Sequence, residues 1–126
     1  VGANAVAAMV AVTGALTATN LLGNWFDAES AKMLAEVAKQ KGISLCGILR
    51  DQTTANFSNQ NLKPPDAILL ASDLSQVVVT GGLTSLDLSN NELCGLDDFG
   101  RGTYTAVGIT AIADALRVNG GLTKIE

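Results

Sequence analysis

Histidine is absent from the 126-residue chain. With it go the commonest general base, the commonest metal ligand and every triad built on imidazole. Aromatic residues make up only 4% of the sequence, so any core must be built from Leu, Ile, Val and Ala. Basic residues number 8 against 12 acidic ones, giving a net charge of −4, and they form no cluster. A phosphate backbone is gripped through clustered Lys and Arg, so no nucleic-acid partner is expected. The two cysteines, Cys46 and Cys94, are too few for a disulfide framework and lack metal-ligand spacing. They read as small buried hydrophobes, with a bridge between them as the alternative, and they assign no redox compartment. Asp97-Asp98 is not followed by the spaced oxygen ligands of a calcium loop. No P-loop or dinucleotide fingerprint accompanies the glycines. Ser and Asp occur without a base to activate a nucleophile. The expectation is therefore a protein with no metal, no cofactor and no catalytic activity.

What is present is aliphatic. Hydrophobic residues are 48% and charged residues 16% of the chain, which excludes a solvated, disordered polymer. The length suits a single domain over 1–126. The first charged side chain is Asp27, and an uncharged run of that length invites comparison with a membrane span. Asn4, Thr13, Gly14, Thr17, Thr19 and Asn20 break its apolar density, so no span is expected.

Comparing the chain with itself explains the run better. Residues 2–17, GANAVAAMVAVTGALT, laid without gaps over 108–123, GITAIADALRVNGGLT, match at Gly2, Ala5, Ala7, Val12, Gly14, Leu16 and Thr17. Two more copies, SAKMLAEVAKQ from Ser30 and DAILLASDLSQ from Asp66, keep apolar residues at the fifth, sixth and ninth places. That spacing predicts amphipathic helices near 2–12, 30–40, 66–76 and 108–118. Strand units are expected near 16–21, 52–57, 83–88 and 122–125, with 43–48 (ISLCGI) as the alternative to 52–57. The cleanest strand unit is LTSLDLSNNEL (83–93), with leucine at Leu83, Leu86, Leu88 and Leu93 and asparagine at Asn91. One strand plus one helix at a period of about 28 is a repeat signature.

On these motifs the chain resembles the leucine-rich repeats of the long, ribonuclease-inhibitor-like type. The resemblance implies an α/β solenoid, a right-handed horseshoe segment of about four units. Short parallel strands would line its concave face and helices its convex face. The structural positions would be Leu16, Leu21, Asn24, Phe57, Leu62, Leu83, Leu86, Leu88, Asn91 and Leu93. Asn91 is expected to satisfy backbone groups of its own and an adjacent unit. With no polar cap at either end, the chain reads as a segment of a longer array, or as one whose ends another chain covers.

The family habit implied by the resemblance is protein binding, as a scaffold or part of a larger assembly; a structural spacer without a ligand is the rival expectation. Candidate contacts are Asp98, Phe99, Arg101 and Tyr104, where an aromatic pair, an arginine and acids share one long loop. Asp87, Asn56 and Asn20 are secondary candidates on the outward strand positions. Trp25, beside Asn24 at a turn, reads as a local plug, with an exposed anchor as the alternative.

Overall fold

A computed structural model describes residues 17–97 and 99–126. The predicted helix 2–12 and Leu16 lie outside the described residues.

Helix α1 (Ala28–Lys41) starts where the Asp27 carboxylate accepts the Ser30 N–H and stops at Gly42, whose φ of 67° suits glycine. Glu29 in its first turn and Lys39 and Lys41 in its last complement the helix dipole. Its buried stripe is Ala31, Leu34, Ala35 and Ala38, residues three and four apart. Strand β1 (Thr54–Asn56) leads into helix α2 (Pro64–Leu74), whose first two residues are prolines with φ preset and no N–H to lose. The single turn α3 (Val77–Thr80) follows, then strand β2 (Ser85–Asp87), helix α4 (Val107–Val118) and strand β3 (Lys124–Ile125).

The three strands form one parallel sheet in the order β1-β2-β3. Register pairs Ala55 with Leu86 and Leu86 with Ile125, and both Ala55 and Leu86 are buried. Helix α2 packs between α1 and α4 and buries nine of its eleven residues. The core joins Leu34, Leu45, Leu62, Leu69, Leu70, Leu74, Leu83 and Leu86. Gly108 lets α4 approach α2, because a Cβ there would stand 2.7 Å from that of Ala67 and 2.9 Å from the Pro64 carbonyl oxygen.

This architecture corrects the solenoid expectation. The described residues form four helices and one open three-stranded parallel sheet, not a horseshoe of about four strand–helix units. The segment 43–48 shows where the repeat breaks. It meets 17–20 through two isolated bridges, Ala18 with Ser44 in parallel and Asn20 with Cys46 antiparallel, and joins no sheet with β1. Its donors are diverted to side chains. The Leu45 N–H donates to Asp73 Oδ1 at 2.8 Å, Cys46 N–H reaches Asp73 Oδ2 at 3.3 Å, and Ile48 N–H donates to Ser44 Oγ at 2.9 Å. Ser44 and Gly47 still donate to the Thr17 and Thr19 carbonyls at 3.0 Å each, but the three N–H groups that end on side chains are lost to pairing with β1. Gly47, at φ 77°, then turns the chain away. Neither 43–48 nor 52–57 is thus the one strand of a regular unit: the first bridges and the second contributes β1.

Phe57, Leu62, Leu83, Leu86 and Leu93 are buried, while Leu21 and Leu88 are partly buried against the core. Cys46 and Cys94 are both free thiols, which removes the bridge. No helix among the described residues is long and apolar enough to cross a membrane.

Candidate functional site

Parallel strands share a direction, so the loops that leave their carboxyl ends gather on one edge. Here those loops are 57–63 and 88–106, and 21–27, which follows the bridged 17–20 segment, joins them through Gly23 and Asp66. In open α/β sheets this edge is where ligands bind. All four described non-glycine residues with positive φ fall on it: Trp25 (60°), Asn59 (57°), Asn61 (56°) and Asn90 (58°). Asparagine visits this region at little cost, but a bulky aromatic there is an outlier that surrounding structure must hold.

Trp25 is held from both sides. Asn24 Nδ2 donates to the Leu21 carbonyl at 2.9 Å, and the Gly23 N–H donates to Asp66 Oδ1 at 2.9 Å. Two residues on, Asp27 caps α1. The indole is 82% exposed, which corrects the plug reading: it is presented at the surface. It lines a cleft of about 470 Å³ together with Gly23, Phe26, Gln60, Asn61, Lys63, Pro65 and Asp66. Asp66 Oδ2 also accepts the Lys63 N–H at 2.9 Å, so one carboxylate fixes both the turn under Trp25 and the start of α2.

The cleft continues into the long loop. Lys63 Nζ lies 2.6 Å from Glu92 Oε1, and Glu92 lines a smaller hollow of about 190 Å³ with Asn90, Asn91, Asp97, Phe99 and Arg101. Asn91 ties the two loops together. Its Nδ2 donates to the carbonyls of Phe57 (2.8 Å) and Leu88 (3.0 Å), and its Oδ1 accepts the N–H groups of Gln60 (3.1 Å) and Leu62 (3.0 Å).

Asp97 organises the loop. Its carboxylate accepts the N–H groups of Phe99 and Arg101, each at 2.9 Å, and Arg101 Nε at 2.8 Å. The Arg101 N–H foremost, then that of Phe99 and the Arg101 side chain, hold the carboxyl below its ordinary range. The loop's base closes through Thr105 N–H to the Cys94 carbonyl at 2.9 Å, and through a bridge between Leu96 and Gly102. Gly102, at φ 115°, passes so close to the Gly95 carbonyl that no side chain fits. The outcome is a compact loop that shows its aromatics. Phe99 is 82% and Tyr104 65% exposed, and the Arg101 guanidinium sits 5.0 Å from the Phe99 ring centre.

The predicted contacts therefore divide. Phe99, Arg101 and Tyr104 share one loop at the surface, and Asp98 lies outside the described residues. Asn20, at the end of the bridged 17–20 segment, and Asn56 and Asp87, at the ends of β1 and β2, do the same local job, each accepting the N–H two residues on, from Leu22, Ser58 and Ser89. These are Asx turns that bend the chain out of the strand. The Asp87 carboxyl is held below its ordinary value by Ser89, through its hydroxyl first and then its N–H. For Trp25 the sequence favoured a plug over an exposed anchor, and the structure has the anchor; its place between a turn asparagine and a helix cap was the available signal.

Proton chemistry has little support at this edge. Among the described residues the one strongly perturbed carboxyl, Asp73, lies on the far half of α2, in the core. Desolvation raises it to about 6 despite hydrogen bonds from Ser44, Leu45 and Cys46. Burial, and then the charge of Asp73, push the Cys46 thiol well above its usual value, the reverse of an activated nucleophile. Among the described residues no three Cys, Asp or Glu side chains converge as a metal site. No family model, no curated protein and no solved structure matches the chain.

Proposed function

We propose that the chain is a non-catalytic protein-binding module whose recognition surface is the loop edge at the strand carboxyl ends. One observation carries the reading: the exposed aromatics Trp25, Phe99 and Tyr104, with Arg101, sit on this edge and on loops pinned by Asp66, Asn91 and Asp97. Trp, Tyr and Arg are the side chains that dominate tight protein interfaces. A pinned loop loses little freedom on binding, so its contacts count nearly in full towards affinity. The mostly binding-type groups of the edge, amides, paired ions and aromatic faces, suit recognition better than turnover.

A displayed random-peptide library selected on the immobilised chain tests this. Selection should enrich peptides that bind the parent chain and fail on the variant carrying Phe99→Ala, Arg101→Ala and Tyr104→Ala. These side chains are exposed, so the variant should unfold in urea within about 0.5 kcal/mol of the parent. Enriched peptides that bind both proteins equally would refute the reading.

A further inference from the structure

We propose that the Trp25 cleft seats an arginine side chain from an exposed basic segment of the partner protein. The inference rests on the protein-binding reading and adds the chemistry of the ligand.

The sign of the ligand follows from which donors the cleft has spent. A helix start usually offers free N–H groups to an anion. Helix α2 cannot, because its first two residues are Pro64 and Pro65. Three neighbouring backbone donors are committed: Lys63 N–H and Gly23 N–H both end on Asp66, and Ala67 N–H donates to the Lys63 carbonyl at 3.3 Å. Lys63 is the basic side chain of the cleft, and its Nζ is held by Glu92 at 2.6 Å and Asn61 Oδ1 at 3.1 Å. An anion would find no unpaired cation among the lining residues.

Acceptors, by contrast, are in surplus. Asp66 Oδ1 and Oδ2 each accept one N–H and keep a second lone pair. The side-chain amides of Gln60 and Asn61 line the same cleft. Each brings a carbonyl oxygen and an NH2 donor, and Asn61 Oδ1, which already accepts from Lys63 Nζ, keeps one lone pair. With Lys63 neutralised by Glu92, Asp66 leaves the cleft net negative, within a chain of charge −4 that draws cations towards it.

The shape of the ligand follows from Trp25. An exposed indole at a cleft mouth attracts a cation over its face, and a planar guanidinium stacks there better than an ammonium. Arginine also carries five N–H donors, matching a carboxylate flanked by amide oxygens. A lysine supplies charge alone.

Trp25 is the single tryptophan of the chain, so its emission reports on the cleft directly. The probe is a blocked nine-residue peptide of alternating glycine and arginine, compared with the lysine and citrulline versions. The arginine peptide should shift the emission saturably, the lysine peptide should bind a few-fold more weakly, and the citrulline peptide about tenfold or more weakly. Asp66→Asn should erase the advantage of arginine over citrulline. Because Asp66 also supports α2, Trp25→Leu read by calorimetry provides a second variant at an exposed position, and it should erase the advantage of arginine over lysine. Equal midpoints for the arginine and lysine peptides, or no saturable change, would overturn the proposal. The protein-binding reading would survive that result so long as library peptides still required Phe99 and Tyr104.

Discussion

The two ends of helix α2 use the same device for opposite purposes. At its first turn Asp66 accepts N–H groups from Gly23 and Lys63; two turns later Asp73 accepts them from Leu45 and Cys46, with the Ser44 hydroxyl at 2.6 Å. Both carboxylates bind earlier segments of the chain to the central helix. Asp66 does so at the wall of a cleft, beside an exposed tryptophan. Asp73 does so in the core, with no basic side chain among its hydrogen-bond partners. The comparison teaches that a buried carboxylate here replaces strand pairing, and that position on the helix decides whether the same contact also builds a surface for a partner.

The sharpest way to break the comparison is Asp73→Ala. It strands the Leu45 N–H and the Ser44 hydroxyl in the interior, while the Cys46 N–H keeps Ser44 Oγ at 3.2 Å, and each unsatisfied group costs about 1–3 kcal/mol, less where the site relaxes. We expect a loss of about 3 kcal/mol in urea unfolding. A loss below about 1 kcal/mol would show that the 43–48 segment is held by packing alone.

Asn91→Leu comes next. It removes the bridge between the β1 and β2 loops and leaves the Gln60 and Leu62 N–H groups without an acceptor. The cost should be about 2 kcal/mol despite the added apolar surface. An unchanged melting temperature would count against the bridge.

A third test is the pH dependence that separates the two ends. Asp73 is raised to about 6 in the folded chain, against an ordinary value of 3.8. Between those values the folded chain holds a proton that the unfolded chain has released. Stability therefore falls as pH rises from about 4 to about 6 and levels off above, by on the order of 3 kcal/mol. Asp27, Asp87 and Asp97 shift downward, so their contribution is lost only as pH falls below the ordinary carboxylate value. The parent chain should be most stable on the acid side of neutrality, and Asp73→Asn should flatten the curve between pH 4 and 6. A parent curve that rises across this window would show Asp73 to be ionised at no cost.

How much of this was legible in the sequence depends on the range of each signal. Helix faces are local, and the apolar spacing around Leu34, Leu70 and Ile112 needs only residues three and four apart; helices α1, α2 and α4 run through those windows. The break at 43–48 was hidden, because it depends on Asp73, far along the chain, taking N–H groups that a regular strand would have shared. Leucine spacing alone does not register such a diversion, so the repeat looked more regular than the molecule is. At the edge, Phe99, Arg101 and Tyr104 stood out by composition. Asn20, Asn56 and Asp87 looked outward-facing and free, yet their side chains are engaged two residues on. The cleft itself could not be read, since Trp25, Gln60 and Asp66 come together only in the fold.

Amide chemical-shift mapping with a peptide recovered from the library selection tests the central claim most directly. Perturbations should cluster at 21–27, 60–66 and 88–104 and leave the exposed apolar residues Leu49, Val77 and Val78 unmoved. A footprint centred on Leu49, Val77 and Val78 would place recognition away from the loop edge and contradict the account.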